Sequence, residues 1–170
     1  EIQNIDSFKP MISGLIPFVL AMLINMSNTS SVSLSLEGRN LWVVQSIPIE
    51  RKTLLHGKML FNIMIVLPVS LICNIIFMFV LRVNVIMALL YIVFAVASVV
   101  FSTIWGTYMN VHFPNYTWQN ELEVIKQGMS SMITIFSSLI GYLLMAVAAV
   151  LLKDIMAIEV IILGFSVILL

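Results

Sequence analysis

The stretch MLFNIMIVLPVSLICNIIFMFVL, residues 59–81, contains no charged side chain and consists mainly of large apolar residues. As an α-helix it would rise about 35 Å, which is enough to cross the hydrocarbon core of a bilayer. Backbone groups in lipid need internal partners, so an apolar run of this length predicts a membrane-spanning helix rather than a barrel strand. Pro68, near its middle, is expected to kink the helix unless neighbouring helices satisfy the carbonyl that it frees.

Other apolar runs lie on both sides, and the spans are predicted at about 10–30, 59–81, 85–108, 132–152 and 155–170. Only three residues separate the second span from the third, so these two are expected to form an antiparallel hairpin. The predicted fold is an all-α, polytopic transmembrane helix bundle of about five spans with short amphipathic cytoplasmic helices. Because the sequence starts without methionine and stops within an apolar run, residues 1–170 are interpreted as one membrane domain, a fragment of a longer protein.

The composition agrees with a membrane protein and excludes an ordinary soluble domain. The chain is 61% hydrophobic and 9% charged, whereas soluble domains average about 45–50% apolar and about 25% charged residues. The formal net charge is zero, which gives no indication of nucleic-acid binding. The single cysteine, Cys73, cannot form a disulfide within the chain.

The stretch SLEGRNLWVVQSIPIERKTLLHGK, residues 35–58, interrupts the apolar runs and carries four of the chain's eight lysine and arginine residues. Ser35 is a candidate helix N-cap, and Pro48 is expected to end a short amphipathic helix before a second helix begins near Glu50. Two interpretations stay open. The short helix lies on lipid headgroups with Trp42 as its anchor, or it forms a docking surface for a protein.

A second polar segment, residues 109–131, separates the third predicted span from the fourth. Trp118, Leu122 and Ile125 would lie on one face of a helix there, which predicts an amphipathic helix on the cytoplasmic surface. Packing on the membrane surface is one interpretation, and a second protein contact is the other.

Charges set the expected orientation. If residues 35–58 face the cytoplasm, residues 109–131 do so as well, and that side holds Arg39, Arg51, Lys52, Lys58 and Lys126. The opposite side holds Lys9, Arg82 and Lys153. The excess follows the positive-inside rule.

Both polar segments resemble those of a known family. Within residues 35–58, Glu37 and Gly38 precede the apolar residues 41–44, Ile47 and Pro48 follow, and Lys58 closes the segment. The segment FPNYTWQNELEVIKQG, residues 113–128, shares a Pro-Asn-aromatic-x-Trp-x-Asn-Glu pattern. Together they resemble bacterial ABC-transporter permeases of the ABC-2 exporter type.

That resemblance implies a permease subunit of an ATP-driven exporter in a bacterial cell membrane, embedded in the lipid bilayer and exporting an unknown substrate. The partner would be a cytoplasmic ABC ATPase subunit or domain, and ATP and Mg²⁺ would be bound by that partner. The residues implied to contact the ATPase, as a coupling loop at residues 35–58, are Glu37, Gly38, Arg39, Leu41, Trp42 and Pro48.

The residues themselves indicate no enzyme. The sequence has no G-x-x-x-x-G-K-[ST] phosphate loop, since Gly57 and Lys58 are followed by Met59, and it has no H-E-x-x-H metal motif. No catalytic, cofactor-binding or metal-binding residue is therefore expected in this chain. A secondary transporter or channel and an intramembrane enzyme remain alternative functions.

Two features inside the spans are candidates for a role. Ser98, Ser102 and Gly106 recur every four residues, which favours close helix packing, with a polar lining for a substrate path as the alternative. Glu159 lies near the start of the last apolar run. A carboxylate within a span is costly and is a functional candidate, unless Glu159 lies at the headgroups.

Overall fold

The computed structural model describes residues 2–46, 48, 50–116, 118, 120, 122, 124–125, 128–152 and 157–170, with the backbone alone for residues 2–11, 39–41 and 44–45. The described secondary structure is helical throughout and contains no strand, so the predicted all-α fold is confirmed.

The first helix, α1, covers Ile2–Asn25 and ends earlier than the predicted span at 10–30. Two 3₁₀ turns follow, Thr29–Ser31 and Ser35–Asn40, and then the short helix α2, Leu41–Ser46. The reason for the early end lies in the residues after α1, which are mostly asparagine, serine and threonine. Their side chains form hydrogen bonds with nearby backbone groups, and these bonds replace those of a continuing helix. The Asn28 carboxamide oxygen, for example, accepts from the Ser30 amide at 3.0 Å.

The long helices α3, Arg51–Leu81, and α4, Val85–His112, form the expected hairpin. Arg82 closes α3 in the left-handed region, with φ 51°, and the Asn84 carboxamide caps α4 by accepting from the Val85 amide at 2.8 Å. Both helices continue beyond the predicted spans 59–81 and 85–108. Hydropathy marks where the chain leaves lipid, whereas a helix continues into polar residues until a cap ends it.

The last two described helices are α5, Met129–Leu152, and α6, Ile158–Leu169. The central helix is α4, which packs against α1, α3, α5 and α6. An aromatic cluster joins these helices, and its closest ring pair is Phe18 with Phe94, whose centroids lie 4.9 Å apart with the rings edge to face. Phe165 and Tyr142 extend the cluster to α6 and α5.

Four helical stretches of the described residues are long and apolar enough to cross a membrane: Ile12–Gly38, Arg51–Leu81, Val85–His112 and Met129–Leu152. The first of them joins the end of α1 to both 3₁₀ turns. The helix Ile158–Leu169 is apolar but shorter.

Burial along α3 shows what surrounds the bundle. Its buried residues recur every fourth position and three of the four are polar: Asn62, Val66, Ser70 and Asn74. Its exposed residues are large and apolar, including Met64 and Phe79 at 72% and 80% exposure. A surface helix of a soluble protein has the opposite arrangement. The exposed face of α3 therefore suits lipid, and the chain is a multi-pass membrane protein.

Candidate functional site

The region between α1 and α2, residues 25–40, is an interruption of helix inside the bundle, and we call it the broken span. Asn28 donates from its carboxamide to the Ser102 carbonyl, and Ser35 donates from its hydroxyl to the Asn110 carboxamide at 2.7 Å. Ser102 precedes the end of α4 by ten residues, so the broken span begins about 15 Å inside that end. Irregular backbone at such a depth in lipid is tolerated only where protein satisfies its polar groups.

Asn62 of α3 provides hydrogen-bond partners for the polar groups at the start of the broken span. Its carboxamide oxygen accepts from the Thr29 backbone amide at 3.1 Å and from the Thr29 hydroxyl at 2.7 Å. Its carboxamide nitrogen donates to the Thr103 hydroxyl of α4 at 2.7 Å. One asparagine that is 1% exposed therefore joins α3, the broken span and α4.

Asn25 makes the corresponding connection to α5. Its carboxamide nitrogen donates to the Tyr142 hydroxyl at 2.9 Å, and its oxygen accepts from the Ser102 hydroxyl at 2.8 Å. A further contact comes from Ser130, in the first turn of α5, whose hydroxyl donates to the Ser31 carbonyl at 2.8 Å. The hydrogen bonds around the broken span thus reach α3, α4 and α5, and all of these groups are uncharged.

Gly106 sets the distance between α4 and the broken span. A Cβ on this residue would lie 2.6 Å from the Ser30 hydroxyl, 2.7 Å from the Asn28 carboxamide nitrogen and 3.2 Å from the Ser31 amide nitrogen. Of the predicted small-residue stripe, Ser102 and Gly106 therefore face the broken span. Ser98 lies next to α5, where its carbonyl accepts from the Tyr142 hydroxyl at 3.4 Å.

A charged contact closes the far end of the broken span, and we call it the tether. The Lys58 ammonium lies 2.7 Å from a carboxylate oxygen of Glu37 and donates to the Ser33 carbonyl, also at 2.7 Å. The two side chains are only 15% and 30% exposed, respectively, so water screens the pair less than it screens a surface pair. The tether joins the first turns of α3 to the second 3₁₀ turn.

The two polar segments of the sequence meet at this end of the bundle. The Trp118 indole donates to the Ser35 carbonyl at 2.7 Å, and the Asn115 amide donates to the Ser35 hydroxyl at 3.1 Å. Gly38 packs against Tyr116, whose Cα and carbonyl oxygen would each lie 2.8 Å from a Cβ at that position. Residues 35–58 and 109–131 are therefore on the same side of the bundle.

The structure separates the residues that the sequence analysis grouped as an ATPase contact. Glu37 and Gly38 are engaged within the chain, whereas Trp42 is 70% exposed and Pro48 is also exposed. The side chains of Arg39 and Leu41 lie outside the described residues. Of the described members, Glu37 and Gly38 therefore contact the rest of the chain and Trp42 and Pro48 are open to the surroundings, while contact with an ATPase stays a prediction.

The structure also differs from the amphipathic helix that the sequence predicts within residues 109–131. Trp118 is buried with Val124 against Val32, while Leu122 and Ile125 are 56% and 43% exposed. Trp118 therefore does not share a face with the other two residues, because its indole is held by the Ser35 carbonyl. Residues 117, 119, 121, 123 and 126–127 lie outside the described residues.

Glu159 lies in the first turn of α6, directly after the N-terminal residue of that helix. A carboxylate at this position is favoured by the helix dipole, so it needs no functional explanation. No group of three or more histidine, cysteine, aspartate or glutamate residues is placed to hold a metal ion within the described part of the chain.

The tether gives the first testable prediction. Lys58→Met removes the ion pair and the bond to Ser33, whereas Glu37→Gln removes only the charge pairing. Exposed ion pairs contribute about 0–1 kcal/mol, and hydrogen bonds to charged groups about 1.5–3 kcal/mol. We expect amide hydrogen exchange of residues 33–40 to accelerate by more than about ten-fold in Lys58→Met and by less than about five-fold in Glu37→Gln.

Lys52→Met is the matched control, because Lys52 is exposed and has no ion pair with a described residue. Exchange in this variant should equal that of the parent. Equal acceleration in Lys58→Met and Glu37→Gln would show that the Ser33 bond contributes nothing.

Comparison with known protein families gives a match over nearly the whole chain. A family model described as "Putative ATP-binding cassette" matches residues 3–165, which is nearly the whole chain. Searches among curated proteins and solved structures gave no match. The sequence-based assignment to permeases of the ABC-2 exporter type is therefore wrong, and so is the exporter-permease function that was inferred from it.

Proposed function

Since this chain belongs to the Putative ATP-binding cassette family, we propose that it is a membrane-embedded part of an ATP-binding-cassette system. Binding and hydrolysis of Mg-ATP are assigned to a nucleotide-binding domain outside these 170 residues.

The arrangement of α3 is the observation that carries this proposal. Its polar residues face the other helices and its large apolar residues face outward, with Leu60, Phe61 and Met64 all more than half exposed. Such a surface would aggregate in water, whereas lipid solvates it without cost. A nucleotide-binding domain, which works in water, needs a different surface.

The sequence supports the assignment of ATP to another domain. A phosphate loop needs glycines followed by lysine and a hydroxyl residue, so that backbone amides, an ammonium group and a Mg²⁺ ligand converge on the phosphates. In this chain Gly57 and Lys58 precede methionine, and the Lys58 ammonium is bonded to Glu37 and Ser33. The one glycine-lysine pair is thus part of the tether.

The broken span is held in the bundle from three sides. Its contacts to α3, α4 and α5 are hydrogen bonds between neutral groups. The tether and the Trp118 contact to Ser35 link it to the end of the bundle where the charged residues lie.

Nucleotide binding tests the proposal directly. The full-length protein containing this sequence is purified in detergent, and binding of a fluorescent ATP analogue is measured with Mg²⁺, followed by photo-crosslinking and peptide mapping. We expect crosslinks only outside residues 1–170. A saturable crosslink within these residues that ATP competes away would overturn the proposal.

A further inference from the structure

We propose that Trp42, Arg51 and Lys52 form a binding surface for the headgroups of anionic phospholipids, and we call it the headgroup surface. It lies on the outside of the bundle at its charged end, apart from the buried broken span. Binding of lipid at the headgroup surface does not depend on where ATP is hydrolysed.

The length of α3 places this surface at the level of the headgroups. The helix has 31 residues, so it is about 46 Å long, whereas the hydrocarbon core is about 30 Å thick. Its exposed side is polar at Arg51, Lys52 and His56 and becomes apolar at Leu60 and Phe61. The first two turns of α3 therefore extend beyond the hydrocarbon into the headgroup layer.

Trp42 is exposed close in sequence to the start of α3, the position expected of a tryptophan that anchors a protein at the membrane–water boundary. Its side chain is 70% exposed, and α2, which carries it, has its main contact with the 3₁₀ turn that precedes it. Only residues 47–50 separate α2 from the start of α3. Tryptophan favours the boundary between lipid and water, because its ring is largely apolar and its indole N–H donates a hydrogen bond.

The charges at this surface select anionic lipid. Lys58 and Glu37 neutralise each other in the tether, whereas Arg51 and Lys52 are exposed and have no ion pair with a described residue. Among the described side chains Glu50 is the exposed acidic neighbour, so Glu50, Arg51 and Lys52 together carry one net positive charge. One cation at an anionic membrane surface corresponds to a roughly five-fold preference for anionic over zwitterionic lipid.

Lipid-specific quenching of Trp42 fluorescence tests the proposal. The full-length protein is reconstituted in phosphatidylcholine with increasing fractions of brominated phosphatidylglycerol or, separately, brominated phosphatidylcholine. Bromine quenches a tryptophan that it contacts, and subtraction of the Trp42→Phe variant isolates the signal of this residue. The ratio of the two quenching curves gives the lipid preference at Trp42.

We expect a preference for phosphatidylglycerol of roughly five-fold in the parent and near or below one in Arg51→Gln/Lys52→Gln. Arg82→Gln removes one positive charge at the opposite end of α3 and is the control for charge away from this surface; it should keep the preference. Equal quenching by both lipids in the parent would overturn the proposal. So would a Trp42 that neither lipid quenches, which would show that a protein partner covers this surface.

Discussion

Gly106→Leu is expected to lower the apparent melting temperature of the detergent-solubilised protein by about 5–10 °C, the largest effect among single changes at the broken span. The Cβ alone would contact Ser30, Asn28 and Ser31 at 2.6–3.2 Å. Asn28 and Ser30 cannot rotate away without losing their bonds to the carbonyls of α4. Overpacking of this kind costs about 1–3 kcal/mol, and the rest of the leucine adds to it. Size-exclusion chromatography after heating gives the measurement.

Gly141→Leu is the matched control, because it makes the same change on a neighbouring helix where a Cβ would have no atom within 4 Å. We expect this variant to have the same apparent melting temperature as the parent. If Gly106→Leu and Gly141→Leu melt alike, Gly106 does not hold the broken span against α4.

The fold followed from the sequence because lipid imposes simple demands. A run such as 59–81 must be a helix, and only three residues were available to join it to the next, so the α3–α4 hairpin was predictable. The broken span was not. Whether Asn25 ends α1 depends on partners from α4 and α5 that are 77 and 117 residues away in the sequence.

Part of the candidate site was visible in the sequence. The spacing of Ser102 and Gly106 marked the face of α4 that the broken span contacts. Asn62 and Asn110 gave an unused signal, because a carboxamide within an apolar run is costly unless it is hydrogen-bonded. That signal identifies the residue but not its partner, so the connection from Asn62 to Thr29 required the structure.

The mistaken family assignment has a physical explanation as well. It rested on two polar segments, and both lie at the charged end of the bundle, where any membrane protein carries acidic, basic and aromatic residues. Glu37, the first residue of the supposed ATPase contact, serves to pair with Lys58. The composition of such short segments depends on their location at the membrane boundary as much as on the family to which the protein belongs.

Asn62→Leu is the second change for which we expect a large effect, a loss of about 2–3 kcal/mol of stability. Side-chain hydrogen bonds in membrane proteins contribute about 0.6 kcal/mol on average, and Asn62 makes three of them. The leucine also leaves the buried Thr29 amide without its partner, which costs about 1–3 kcal/mol by itself. Hydrogen exchange of residues 28–35 should accelerate together with the fall in melting temperature.

Asn74→Leu separates this effect from the general consequence of replacing a buried asparagine on α3. Asn74 is 3% exposed, and its carboxamide oxygen has no hydrogen-bond partner among the described residues. Its nitrogen donates to the Ser70 carbonyl of its own helix, so no other element depends on it. Leucine at this position removes an unsatisfied polar atom, and we expect stability equal to or slightly above that of the parent. Two asparagines on the same face of one helix should thus respond in opposite directions, because only Asn62 bonds the backbone of the broken span. A comparable loss of stability in both variants would mean that burial on α3, rather than the bond to Thr29, determines the cost.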